Sequence, residues 1–139
     1  MQRFSMWMAG LVLGVAFLAP LPAASAQAYV IVTNAAGPSA LPRDEVARVF
    51  LKKSNSLVAV DQEKDSRVRA AFSKTVLGRP LAAVLSYWQQ QIFSGQDSPP
   101  SEKSSDDAVL AYIRSNPRAI GYVSAGIELG TGVRVLTLQ

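Results

Sequence analysis

The chain has 139 residues, enough for one domain, and it contains neither histidine nor cysteine. The lack of both residue types excludes Ser-His-Asp and Cys-His catalysis, disulfide bonds and nearly every kind of zinc site. The net charge of +4 is too small to predict a nucleic-acid partner, but it is compatible with a small anionic ligand or an anionic surface.

The first 26 residues have the three parts of a secretory signal peptide. Arg3 supplies the positive charge, the stretch 11–21 is apolar, and Ala24-Ser25-Ala26 forms a cleavage site of small residues. We therefore expect removal of residues 1–26 on export to the periplasm or the medium. No lipoprotein anchor is expected, because no cysteine follows the cleavage site. The domain should then comprise residues 27–139.

A membrane anchor is the alternative interpretation of this segment. The apolar stretch 6–19 is shorter than the roughly 20 residues that a spanning helix needs. Pro20 and Pro22 also interrupt its end. The pattern therefore favours a cleaved signal over an anchor.

The remaining chain alternates between predicted strands and helices. Continuous β-branched and apolar runs predict strands at 29–33, 57–60 and 120–123, and an alternating run predicts a fourth strand at 133–138. Apolar residues at helical spacing predict helices at 42–52, from Asp65 or Ser66 to Gly78, at 80–92, and from Ser104 or Ser105 to Asn116. The stretch 94–105, rich in Ser and Pro, is interpreted as a loop.

Strands separated by helices are typical of the α/β class. We expect a single three-layer lobe with a mostly parallel four-stranded sheet flanked by helices. The last strand, with its alternating pattern, is a candidate for an antiparallel edge.

Several kinds of chemistry find no support in the sequence. Neither the Rossmann nor the Walker glycine pattern occurs, and most acidic residues lie at helix starts or in loops. Asp61-x-Glu63-x-Asp65 resembles the opening of a calcium loop, but Ser66 and Phe72 stand where that loop needs Gly and Glu. We therefore expect no metal site, no cofactor and no enzymatic activity.

The segment Ser66-Arg67-Val68-Arg69 is the candidate ligand site. Ser66 follows a strand and opens a helix, where unpaired N–H groups and the helix dipole favour anions. Arg67 and Arg69 could add positive charge. The alternative is that Ser66 is only a helix cap and that both arginines are solvated.

Four segments resemble the phosphate-type substrate-binding proteins of bacterial ABC importers, and in particular their small single-lobe relatives of the periplasmic binding protein type. They are 29–32 with 41–51, 58–72, 87–95, and 109–123 with its Asn116-Pro117-Arg118-Ala119-Ile120-Gly121-Tyr122-Val123 strand entry. The resemblance implies a solute-binding lobe that recognises phosphate or a similar oxyanion. It also implies a membrane transporter or another exported protein as partner.

The sequence departs from the family at the phosphate motif. Family members have an Arg, three further residues and then Ser-Gly-Thr at a helix start. Gln62 and Ser66-Arg67-Val68 occupy these positions here, so only Ser66 matches. Gln62 is therefore a candidate ligand-binding residue by position alone.

The family closes two lobes around its ligand, whereas this chain has the length of about one. A second hypothesis follows from this difference. The lobe could serve as a periplasmic interaction module that has lost ligand binding, with an exported partner or a second copy of itself.

Export makes a direct prediction. When the full chain is expressed in a Gram-negative bacterium, its mass should correspond to a protein that begins at Gln27, recovered from the periplasmic fraction. Ala26→Trp should leave the precursor uncleaved, because the site requires small residues. A full-length mass for the unaltered protein in the membrane fraction would favour the anchor instead.

Overall fold

The computed structural model describes residues 27–139, so the predicted signal peptide lies outside the described residues. Its strands are β1 Tyr29–Asn34, β2 Ala40–Leu41, β3 Val58–Gln62, β4 Ser101–Lys103, β5 Ala119–Ser124, β6 Val133–Val135 and β7 Thr137–Leu138. Its helices are α1 Arg43–Phe50, α2 Arg67–Phe72, α3 Leu81–Phe93 and α4 Asp106–Ser115. A π-helical segment, Ser73–Leu77, continues α2. Over this range no helix combines the length and apolarity needed to span a membrane.

Five strands form the main sheet, in the order β4-β3-β5-β1-β6. β3 runs parallel to β4 and to β5, whereas β1 runs antiparallel to both β5 and β6. Four of the five strands therefore point the same way, and β1 alone is reversed. The predicted α/β lobe with a mostly parallel sheet is confirmed.

The sheet differs from the prediction in its strand count. β4 lies inside the stretch 94–105, for which the sequence predicts a loop. The pattern does not indicate a strand there because Ser101-Glu102-Lys103 is polar, and the strand joins the sheet only at its edge. The predicted last strand is divided at the buried residue Leu136. Its first part, β6, is the expected antiparallel edge of the sheet, and its second part, β7, pairs with β2 in a separate two-stranded sheet.

The core lies on both faces of the sheet because the buried strands alternate their side chains between them. One face packs against α1, α2 and the π-helical segment, through residues such as Phe50 and Phe72. The other face packs against α4 through Val109, Leu110 and Ile113. The result is the expected three-layer arrangement.

Gly121 sets the distance between the sheet and α4. A Cβ atom at this position would lie 2.8 Å from Cγ1 of Val60 and 3.0 Å from Cγ1 of Val109. The first of these contacts is shorter than carbon atoms adopt in well-packed cores and the second is tighter than usual, so a larger residue would displace the side chains between the sheet and α4. The close packing of α4 on the sheet also positions the start of α4 beside the end of β3, where the candidate site lies.

Candidate functional site

Two helices begin at the same edge of the sheet. β3 ends at Gln62 and leads to α2, while its parallel neighbour β4 ends at Lys103 and leads to α4. We call this region, residues 62–67 and 103–107, the carboxyl edge. In open α/β sheets, ligands bind beyond the carboxyl ends of the parallel strands. The predicted motif around Ser66 therefore lies where this fold places a ligand.

Ser66 caps α2, as the sequence predicted. Its Oγ accepts a hydrogen bond from the backbone N–H of Arg69 at 3.2 Å and donates one to Oε1 of Gln62 at 2.8 Å. The N–H groups of Arg67 and Val68, which open the helix, have no hydrogen-bond partner within residues 27–139. Two backbone donors thus remain at the start of α2.

Gln62 links the starts of both helices. The residue is 5% exposed, and its Nε2 donates to Oδ1 of Asp106 at 2.7 Å and to the Tyr122 carbonyl at 3.1 Å. Its Oε1 accepts from Ser66. All polar groups of this amide are satisfied internally, so the neutral side chain at the family's arginine position acts as a bridge within the lobe.

Arg69 points into the protein, in contrast to the charge-supplying role that the sequence suggested. It is 2% exposed, and its Nη1 donates to the Gln62 carbonyl at 2.9 Å and to Oε1 of Glu102 at 2.8 Å. Its Nη2 lies 3.6 Å from Oδ2 of Asp61. Two carboxylates therefore balance the charge of the guanidinium inside the lobe, and a carbonyl accepts a further hydrogen bond from it.

Tyr122 closes this buried network from β5. Its hydroxyl donates to Oδ1 of Asp61 at 2.6 Å and accepts from the backbone N–H of Gln62 at 3.1 Å. Burial raises the pKa of the Asp61 carboxyl, although Arg69 and the Tyr122 hydroxyl act in the opposite direction. The pKa of Tyr122 is raised far above its usual range, first by burial and then by the nearby Asp61 carboxylate. The phenol therefore stays protonated and remains a hydrogen-bond donor.

The structure brings three of the four predicted residues into direct contact, namely Gln62, Ser66 and Arg69. Arg67 is separate from them. Its side chain is exposed and forms no hydrogen bond or ion pair within the described range, so its charge is available to a ligand. It lies on the first turn of α2, next to the two unpaired N–H groups.

Sequence reasoning missed Asp61, Glu102, Asp106 and Tyr122 as members of the network. One signal could have revealed the inward direction of Arg69. It lies three residues before Phe72 and seven before Val76, which places all three side chains on one face of a helix. An arginine on an apolar face requires a carboxylate partner, and Asp61 is the penultimate residue of the preceding buried strand.

The roles of the two arginines can be separated by stability measurements. Arg69→Met should lower the free energy of unfolding by roughly 3–5 kcal/mol, because it leaves Asp61 and Glu102 without their cation. Arg67→Met, the matched control on the exposed face, should change it by less than about 0.5 kcal/mol. Urea unfolding can be followed by the fluorescence of Trp88, which is 3% exposed. Equal effects of the two substitutions would contradict the buried network.

Comparison with known proteins supports the fold. No family model and no curated protein matches the sequence. Among solved structures, an ABC-type phosphate transport receptor from Vibrio cholerae matches with a TM-score of 0.58 and 16% identity over 78% of this chain and 45% of its own. A structure described as a phosphate ABC transporter substrate-binding protein with bound phosphate, from Clostridium perfringens, gives 0.59 and 16% over 78% and 44%.

PstS from Borrelia burgdorferi gives a TM-score of 0.58 and 14% identity over 81% of this chain and 47% of its own. The chain thus spans less than half the length of each of these three proteins. The resemblance seen in the sequence is confirmed at the level of the fold: residues 27–139 adopt the α/β fold found in phosphate ABC transporter substrate-binding proteins.

Proposed function

We propose that this chain is an exported, non-enzymatic solute-binding lobe that recognises phosphate or a similar small oxyanion at the start of α2. The observation that carries the proposal is the pair of unpaired N–H groups on Arg67 and Val68, located at the carboxyl edge of the sheet. Backbone donors at a helix start, together with the helix dipole, stabilise an anion.

Charge complementarity supports the same site. Arg67 is exposed on the first turn of α2 and has no carboxylate partner within the described range. Ser66 holds the start of the helix in place, while Gln62 and Arg69 position Ser66 and the end of β3. In this proposal the ligand contacts backbone N–H groups and Arg67, and the buried network provides the rigid support.

Weak binding is expected because the donors are few. Glu63 and Asp65 in the preceding loop, and Asp106 and Asp107 at the start of α4, are negative charges near the same edge. The positive charge of Arg69 does not compensate these negative charges, since it is already paired with two other carboxylates. A partner that covers the carboxyl edge would exclude water from the anion and strengthen its hydrogen bonds.

The proposed role is transport or sensing in the periplasm. The structural neighbours are described as phosphate transport receptors and substrate-binding proteins, which supports an ABC transporter as the membrane partner. The partner that we propose is a membrane transporter or another exported protein.

A second candidate function is a periplasmic interaction module without a ligand. The specific observation in its favour is that Gln62, Ser66 and Asp106 hydrogen-bond to one another, which leaves few side-chain groups at this edge for a solute. In this case the carboxyl edge would contact another exported protein directly. Such a module should capture a partner without added phosphate and should lose it when the edge is altered.

Isothermal titration of the purified protein with phosphate tests the first function, with sulfate as the comparison anion. We expect saturable heat that is weakened by Arg67→Glu and by Ser66→Ala, because the first reverses the charge and the second removes the helix cap. Lys74→Glu makes the same charge change on the exposed face of the π-helical segment and should leave binding nearly unchanged.

Two results would contradict oxyanion recognition at this site. One is the absence of heat at millimolar phosphate. The other is an equal loss of affinity in Arg67→Glu and Lys74→Glu, which would indicate a response to net charge alone. Either result would favour the interaction module.

A further inference from the structure

A cavity of about 550 Å³ lies at the opposite end of the sheet from the carboxyl edge. It is bordered by the segment that follows α1, by the loop before β3, and by the segment before β4. It shares no residue with the network around Ser66 and Arg69. Its volume is within the range of small-molecule sites in proteins.

A gap in the sheet forms the floor of this cavity. The pairing between β3 and β4 begins only at Val60 and Ser101. Pro99 and Pro100 precede Ser101 and have no backbone N–H, so they cannot extend the ladder. Val58 therefore has β5 on one side and no strand on the other, and it is 43% exposed. An apolar side chain at a sheet edge thus faces open space.

The rim of the cavity carries two cationic side chains, Lys52 and Arg118, and one carboxylate, that of Asp97. Arg118 donates from Nη2 to the carbonyl of Asn55, which fixes its guanidinium at the wall. Lys52 has its Nζ 3.9 Å from Oδ1 of Asp97, and both side chains remain partly exposed. Groups this far apart form only a weak ion pair, so the Lys52 ammonium group is available to another anion.

Lys52 is held in a backbone conformation that favours glycine. Its φ is +55°, the only positive φ among the non-glycine residues in the described range. It follows Leu51, the C-cap residue of α1, and the N–H groups of Lys53 and Ser54 both bond to the Arg48 carbonyl. Glycine is the usual residue where a helix ends in this way. A lysine here carries backbone strain and brings a positive charge to the cavity.

We propose that this cavity is a second binding site, specific for a small organic carboxylate with a short apolar chain. The carboxylate would contact Lys52 and the Arg118 guanidinium, and the apolar chain would lie on Val58 and Pro99. The combination of an apolar floor with a net positive rim selects this class over inorganic anions and over amines. The site is independent of the function proposed for the carboxyl edge.

Amide chemical-shift titration of the purified protein with hexanoate tests the site. Saturable shifts are expected at Lys52, Val58 and Arg118, with the amides of Arg67 and Val68 unaffected. Acetate lacks the apolar chain and hexylamine lacks the anion, so both should bind at least about tenfold more weakly.

Lys52→Gly separates binding from stability. It removes the charge while glycine accepts the positive φ, so the Tm should stay the same or rise as hexanoate affinity falls at least about tenfold. Lys53→Gln, which changes the neighbouring lysine outside the cavity lining, should leave hexanoate affinity unchanged. Val58→Thr keeps the shape of the floor, adds a hydroxyl and should weaken hexanoate but not acetate.

Three results would overturn the proposal: no saturable shifts at millimolar hexanoate, binding of hexylamine as strong as that of hexanoate, or unchanged hexanoate affinity in Lys52→Gly. Phosphate binding is detected at the amides of Arg67 and Val68, and hexanoate binding at Lys52, Val58 and Arg118. A failure of the cavity proposal is therefore distinguishable from a failure of the proposed phosphate site.

Discussion

The carboxyl edge depends on one buried contact, between the Arg69 guanidinium and the carbonyl of Gln62 at the end of β3. The same guanidinium pairs with Asp61 on β3 and with Glu102 on β4, so it ties α2 to two adjacent strands. A buried cation needs all of these acceptors, because each unpaired polar group inside a protein is costly. The Tyr122 hydroxyl extends the network to β5 and satisfies the Asp61 carboxylate. The start of α2 is therefore held rigidly relative to the sheet.

The two ends of the sheet differ in how their polar groups are used. At the carboxyl edge, side chains satisfy one another and leave mainly two backbone N–H groups and Arg67 for a ligand. At the opposite end, Pro99 and Pro100 prevent β4 from extending its pairing along β3. Lys52 has a weakly paired charge there, beside exposed apolar surface. A lobe that spans less than half the length of its structural neighbours thus keeps an anion-compatible helix start and also has a distinct cavity.

The sequence predicted those helices and strands whose formation depends on residues close together in the chain. The structure contains the predicted β-branched run of β1 and the candidate antiparallel edge strand. It also contains the Ser66 and Ser105 caps, each of which was one of two candidate residues. β4 was not predictable, because a polar three-residue strand gains its structure from pairing with β3 rather than from its own sequence. The Glu102 partner of Arg69 was equally inaccessible, since it lies 33 residues away and reaches Arg69 only through that pairing. The sequence therefore indicated that Gln62 and Ser66 lie close to the start of α2, but it did not indicate that Arg69 is buried.

Phosphate titration followed by amide chemical shifts tests the central claim, that the start of α2 is the part of the carboxyl edge left available to an anion. We expect saturable shifts concentrated at the N–H groups of Arg67 and Val68, with the Arg69 side-chain signals unchanged because its guanidinium stays paired with Asp61 and Glu102. Shifts that are absent at these two amides, or that appear first at the Arg69 guanidinium, would contradict it.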